Sequence, residues 1–283
     1  MAIISELCGN WNGDKSLLWD MVKASADCGA KFVKIQTFYA KDLAQGWESD
    51  IDRIKSLELT PDDHVRFVEL CKECGVTPMT SVYSEEYLPM LGRAGFKWVK
   101  IGSAQVKDVG LIETAIAMGF KVIASTGGNL VVKLPNVLMH AEAVLHCVSL
   151  YPHNHNQAGL GRMLQLKGRF PYTNIGFSDH SDPSEPYWSK ASEMALTLGA
   201  KYIERHFTLL DACSTKDGIV SINREQLRTL CAMDRINYQA IGTSKYSDIG
   251  WLTSPQSDSE IELISRYKTR WVKNKPYTPI IEG

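Results

Sequence analysis

The sequence predicts an α/β fold, a (β/α)8 TIM barrel over residues 1–238 followed by a short C-terminal extension, 239–283. Three observations predict it. A phrase that opens on Gly and enters a β-branched or aromatic run recurs along the chain. Eight short apolar runs alternate with helical or loop stretches, which a parallel sheet requires and which argues, at eight units, for closure into a barrel. No G-x-G-x-x-G follows the first run, so the open doubly wound sheet stands second.

The elements follow in order. The first strand is expected over Ile3–Leu7, and Leu17 to Cys28 is amphipathic at helical spacing. Gly29-Ala30-Lys31-Phe32-Val33-Lys34 then reads as a helix C-cap entering a buried strand, Phe32–Gln36. Gly75-Val76-Thr77-Pro78-Met79-Thr80-Ser81 is a looser copy that gives Thr77–Ser81. Gly95-Phe96-Lys97-Trp98-Val99-Lys100 gives Trp98–Ile101, and Gly119-Phe120-Lys121-Val122-Ile123-Ala124-Ser125 gives Val122–Ser125. Ala143–Cys147 and Asn174–Phe177 are the sixth and seventh strands. Pro186 to Leu198 is helical, and Gly199-Ala200-Lys201-Tyr202-Ile203-Glu204 leads into the eighth, Tyr202–Arg205. Arg224 to Tyr238 is the final helix. The extension mixes Ser, Thr, Asp and Pro with basic residues around Arg266, Lys268, Arg270, Lys273 and Lys275. It is short for a second domain, and its charges read as a solvated surface or, alternatively, an anion site.

Composition narrows the function. The chain has 283 residues, 44% hydrophobic and 22% charged, with 31 basic and 32 acidic groups. Such a balance gives no electrostatic footprint for nucleic acid or an anionic membrane, so neither is an expected partner. Met1 to Glu6 has no basic n-region or long apolar h-region, and no apolar run reaches the length of a membrane span. Seven scattered cysteines point to reduced thiols and a cytoplasmic location. Cys71 and Cys74 have C-x-x-C spacing but close a helical pattern with no second pair, so they read as helix thiols rather than a redox or zinc motif.

Barrel chemistry sits where strands end. Here the strand ends carry Glu6; Lys34 and Gln36; Thr80 and Ser81; Lys100 and Ser103; Ser125 and Thr126; His146 and Ser149; Ser178, Asp179 and His180; and Glu204 and His206. Lys34 and Lys100 each lie five residues after the Gly of their phrase. Two such ammonium groups among hydroxyls describe a site for a phosphate or carboxylate, unless both lysines snorkel outward. His180 and His206 end adjacent strands, and paired imidazoles suit a divalent transition metal with open positions for substrate. Glu6 lies beside them as a ligand, a ligand's partner or a substrate contact.

From about Ile3 to Ser221 these motifs resemble the sialic acid (N-acetylneuraminate) synthase family, with its legionaminic and pseudaminic acid synthases. The residues that carry the resemblance are Glu6-Leu7-Cys8-Gly9-Asn10-Trp11-Asn12-Gly13-Asp14, Val33-Lys34-Ile35-Gln36, Val99-Lys100-Ile101-Gly102-Ser103 and Ser125-Thr126-Gly127. With them come Leu145-His146-Cys147-Val148-Ser149-Leu150-Tyr151-Pro152, Ile175-Gly176-Phe177-Ser178-Asp179-His180 and Ile203-Glu204-Arg205-His206-Phe207-Thr208. The resemblance implies condensation of phosphoenolpyruvate with N-acetylmannosamine or a related sugar, using manganese, with magnesium or cobalt as substitutes. It implies His180 and His206 as metal ligands. Lys34, Ser81, Lys100, Ser103, Ser125, Ser149 and Ser178 would hold phosphoenolpyruvate, and Glu6, Gln36, Tyr151 and Asp217 the sugar. Glu6 or Asp217 would also move protons.

The sequence departs from the family pattern at four places. Trp11 stands for a usual His, Thr80-Ser81-Val82 for Ser-Thr-Pro, and Ser149 for an Asn. The extension is not a complete antifreeze-like domain, which in the family reaches over a dimer partner's site and offers an Arg to the sugar. A homodimer is therefore implied, together with a separate lid partner or a substitute such as Arg266 or Arg270. Two other functions remain open: a Schiff-base aldolase built on Lys34 or Lys100, and a non-catalytic sugar- or phosphate-binding subunit.

Overall fold

The structure, a computed structural model, describes residues 2–42 and 48–233. Eight parallel strands close into a barrel in chain order: β1 (Ala2–Glu6), β2 (Phe32–Thr37), β3 (Thr77–Val82), β4 (Trp98–Ile101), β5 (Lys121–Ser125), β6 (Ala143–Cys147), β7 (Asn174–Asp179) and β8 (Tyr202–His206), with β8 pairing back to β1. Every expected strand is present, to within about two residues at each end. Among the described residues there are eight helices: α1 (Lys15–Asp27), α2 (Ile51–Ser56), α3 (Pro61–Glu73), α4 (Leu88–Ala94), α5 (Val109–Ala117), α6 (Gly161–Arg169), α7 (Lys190–Thr197) and α8 (Arg224–Ala232). The β2–β3 connection carries both α2 and α3. The β5–β6 connection has only 3-10 turns, Val131–Lys133 and Asn136–His140, around Pro135.

The recurring Gly is the residue that stops a helix and turns the chain back. Gly29, Gly75, Gly95, Gly119 and Gly199 all have positive φ, the conformation a helix C-terminus needs before the next strand begins. Helix starts are equally explicit. Asp14 caps α1, Thr60 forms a capping box ahead of Pro61 in α3, and Asn223 does the same for α8. Arg224 to Ala232 confirms the start of the final helix. The remainder of that expected helix and the whole 239–283 extension lie outside the described residues.

Two apolar layers follow from the period of two in a strand. Residues facing outward, such as Val33, Ile35, Val99, Val144, Ile175 and Ile203, pack under the helices. Inward residues at the start of the strands, Ile4, Phe32, Met79, Ile123, Leu145 and Tyr202 with Trp98, plug the lower barrel. Phe32, Trp98 and Tyr202 meet there ring to ring, with Phe32 and Trp98 edge-on at 4.8 Å. This plug forms the floor beneath the polar residues that follow two positions later. Among the described residues no helix is long and apolar enough to cross a membrane.

Candidate active site

Alternation decides which strand-end residues face the barrel axis. Two positions beyond the plug come Glu6, Lys34, Ser81, Lys100, Ser125, Cys147 and Glu204, and with them Ser178, opposite Cys147 and Glu204. Register brings them level: Glu6 is opposite Lys34 and His206, Ser81 opposite Lys100, and Ser178 opposite Glu204. All thirteen residues expected at the site line one cavity at this end of the barrel: Glu6, Lys34, Gln36, Ser81, Lys100, Ser103, Ser125, Ser149, Tyr151, Ser178, His180, His206 and Asp217.

Outward strand-end groups have structural roles instead. Thr80 bonds Thr37, which bonds His64; His146 bonds the Ala158 carbonyl; Thr126 bonds the Leu145 carbonyl. Asp179 forms a buried ion pair with Arg205 at 3.0 Å and accepts from Ser192 and the Ser181 amide. Trp11 is buried, and its Nε1 donates to the Cys8 carbonyl.

The floor of the cavity is a charged network. Lys34 Nζ lies 2.8 Å from Glu6 Oε2 and 3.4 Å from Glu204 Oε2, and donates to Ser81 Oγ at 2.9 Å. Lys100 Nζ donates to Ser125 Oγ at 2.7 Å and lies 3.3 Å from Glu204 Oε1, which also accepts from Ser178. Gln36 Nε2 donates to Glu6 Oε1 at 2.8 Å. Neither lysine snorkels out. Burial alone would discharge Lys34, but Glu204 and Glu6 hold its pKa above the ordinary lysine value. Lys100 goes the other way, lowered by burial and by Lys34 despite Glu204. Burial, with Glu204 adding to it, pushes Glu6 up to about 7 against the pull of Lys34. Glu204 stays ionised, because Lys100 and Lys34 overcome the burial that would raise its pKa. Two lysines thus face two carboxylates, a more balanced centre than two lysines and hydroxyls alone.

Beside Lys100 lies a cradle of small groups. Ser103 Oγ accepts from the Gly127 amide at 2.9 Å, and a Cβ at Gly127 would overlap Ser149 Oγ and come within 2.9 Å of Ser103 Oγ. Only Gly leaves that space open. In the same cavity, Tyr151 stacks on His180 at 4.1 Å and meets His206 edge-on at 5.9 Å.

The histidines suit a metal. Their ring centres are 5.3 Å apart, and burial holds both pKa values down, His180 to about 4. Both are therefore neutral imidazoles near pH 7, the ligating form. His180 Nδ1 donates to the Val148 carbonyl at 2.8 Å, which fixes its tautomer and leaves Nε2 as the acceptor. His206 Nδ1 is buried with no hydrogen-bond partner. Cys8 and Asp217 stand next to His206: one donor atom from each of these three residues lies within 4.8 Å of the other two.

Sequence reasoning missed several cavity residues. Glu204 was visible as a strand-end carboxylate, yet its role as shared partner of both lysines depends on a register that only closure supplies. Cys8 follows the first strand and reads as one more scattered thiol. Arg53 and Lys216, at the mouth, come from α2 and the β8–α8 loop, and both pair with Asp50.

The profile of the NeuB family matches residues 21–246. The chain belongs to the NeuB family. Its curated relatives include the N,N'-diacetyllegionaminic acid synthase of Campylobacter jejuni, 30% identical over 85% of this chain and 77% of the relative. The pseudaminic acid synthase of Helicobacter pylori is 28% identical over 85% and 75%. Among solved structures, the N-acetylneuraminic acid synthetase of Leptospira borgpetersenii, in complex with citrate, superposes with a TM-score of 0.78 at 25% identity, covering 88% of this chain and 87% of that one. The NeuB assignment agrees with the sialic acid synthase resemblance drawn from the motifs.

Proposed function

We propose that this NeuB-family chain joins phosphoenolpyruvate to the aldehyde carbon of an N-acylated amino sugar, N-acetylmannosamine or a related hexose, giving a sialic-acid-like nonulosonic acid and phosphate. One observation carries the reading. A single cavity brings together two buried lysines, a serine–glycine cradle and two neutral imidazoles.

Lys100, Ser103, Ser125, Ser149 and Ser178, with Lys34 and Ser81, hold the phosphate and carboxylate of phosphoenolpyruvate and restrict its orientation. Gln36, Glu6, Tyr151 and Asp217 face the sugar. His180 and His206 would hold a divalent ion, manganese, with magnesium or cobalt as substitutes, which when bound would supply Lewis-acid polarisation of the aldehyde oxygen. The enol methylene carbon bonds to the aldehyde carbon, water adds to the oxygen-bearing carbon, and the bond to phosphate breaks. Lys34 and Lys100 offset the negative charge that moves onto phosphate. Glu6 or Asp217 takes and returns protons. A cytoplasmic homodimer belongs to the same reading.

The test is phosphate release from phosphoenolpyruvate by metal-stripped full chain. It is run over N-acyl mannosamines and diacetamido-hexoses, with and without added metal, beside His180→Ala. Release that needs both sugar and metal, and falls at least about 100-fold in the variant, is expected. A folded protein that binds neither metal nor phosphoenolpyruvate would sink the reading. One observation favours the Schiff-base alternative, the lowered pKa of Lys100. Borohydride trapping with a keto substrate in metal-free protein decides it.

A further inference from the structure

Cys8 occupies an unusual place. It is the second residue past the end of β1, at φ 39, left-handed backbone that a residue with a side chain adopts only at a cost. It is buried, and it is a free thiol. A turn alone would be served better there by Gly.

The loop that carries Cys8 is tied to the loop after β8. Asn10 Nδ2 donates to the Phe207 carbonyl and to Ser221 Oγ, both at 2.8 Å, and Asn10 Oδ1 accepts from Thr215 Oγ1 at 2.6 Å. Asn12 Nδ2 donates to the Ser214 carbonyl at 2.8 Å. Gly218 lets the second loop fold tightly, since a Cβ there would overlap the Ala212 carbonyl. Together these contacts hold Asp217 beside Cys8 and both beside His206. Sulfur, carboxylate and imidazole donors from three separate segments converge within 4.8 Å. His206 also carries a buried ring nitrogen, Nδ1, with no hydrogen-bond partner.

We propose that Cys8 is a metal ligand in this chain, its thiolate joining His206 and Asp217 around the ion. As the ion binds, the S–H bond breaks, a metal–sulfur bond forms, and the proton passes to solvent. A thiolate is a soft donor, so the centre favours cobalt or zinc over manganese or magnesium by more than two imidazoles would. Manganese is what the family resemblance implies; the two histidines by themselves indicate only a divalent transition metal. The inference rests on the metal-dependent reading above, and its readout does not depend on turnover.

The experiment is anaerobic titration of the metal-stripped full chain with Co2+, followed by absorption spectroscopy. It is run beside Cys8→Ser, Cys8→Gly and a control, Cys213→Ser, which removes the exposed thiol. Cys8→Gly suits the left-handed backbone and guards against misfolding. Wild type and Cys213→Ser are expected to show a thiolate-to-cobalt charge-transfer band in the near ultraviolet, and both Cys8 variants to lose it while keeping weaker ligand-field bands. Competition titrations should show the cobalt-over-manganese preference falling by about tenfold or more in the Cys8 variants. Stoichiometric cobalt binding to wild type without that band, or a band that survives in both Cys8 variants, overturns the Cys8 assignment and leaves the histidine-held ion standing. Failure of wild type to bind cobalt overturns both.

Discussion

At the scale of single residues, the site depends on a carboxylate that touches both lysines. Glu204 spreads its two oxygens over Lys34, Lys100 and Ser178. A buried ion pair gains little over an apolar substitute, but removing one partner strands the other. Glu204→Gln keeps the shape and deletes the charge, leaving two buried ammonium groups with Glu6 as the nearest carboxylate. The expected loss of stability is on the order of 3 kcal/mol, read by urea denaturation at constant pH. The cavity also gains a net positive charge, so phosphoenolpyruvate affinity by calorimetry should rise or hold while turnover falls. Unchanged stability together with weakened binding would contradict Glu204's place as the shared counter-ion.

At the scale of elements, legibility follows physical range. The strands could be read from sequence because each signal is local: a Gly that needs positive φ, then a short apolar run. His180, His206, Lys34 and Lys100 were legible because closing a parallel barrel brings all strand ends to one rim. Orientation was not, since it turns on single-residue parity. Thus His146 faces Phe177 and the Ala158 carbonyl, whereas Cys147, the next residue, lines the cavity. Loop-to-loop ties were the least legible, because Asn10 and Thr215 are about two hundred residues apart. Asn10 makes three hydrogen bonds that join the β1 and β8 loops. Asn10→Ala leaves the Phe207 carbonyl and two hydroxyls without that partner, at a cost of roughly 1–3 kcal/mol. It should also loosen Cys8 and Asp217 from His206, so cobalt affinity should drop along with the melting temperature. Lost stability with unchanged cobalt affinity would show that the tie supports the fold alone.

At the scale of the whole molecule, the barrel separates two kinds of polar group. Inward ones serve the cavity, and outward ones such as Thr37, which meets His64 of α3, His146 and the Asp179–Arg205 pair join strands to the layer around them. Buried histidines outside the cavity make acid stability a property of the entire fold. Burial lowers His146 to about 3, and His64 is lowered for the same reason. In the unfolded chain each returns to the ordinary value near 6.5. Between that value and the folded one, the unfolded state binds a proton that the folded state refuses, so stability is full above about pH 6.5 and declines as pH falls through the window. Each such histidine contributes a slope of about 1.4 kcal/mol per pH unit. His146→Gln removes the titration and keeps a donor for the Ala158 carbonyl, while giving up the ring contact with Phe177 at 5.5 Å. The variant should be less stable than wild type at pH 7.5. Between pH 6.5 and 4.5 it should lose roughly 2–3 kcal/mol less than wild type does, measured by urea unfolding of metal-free protein across that range. Parallel pH profiles for the two proteins would show that His146 is protonated in the folded barrel and that its burial does not set the acid limit.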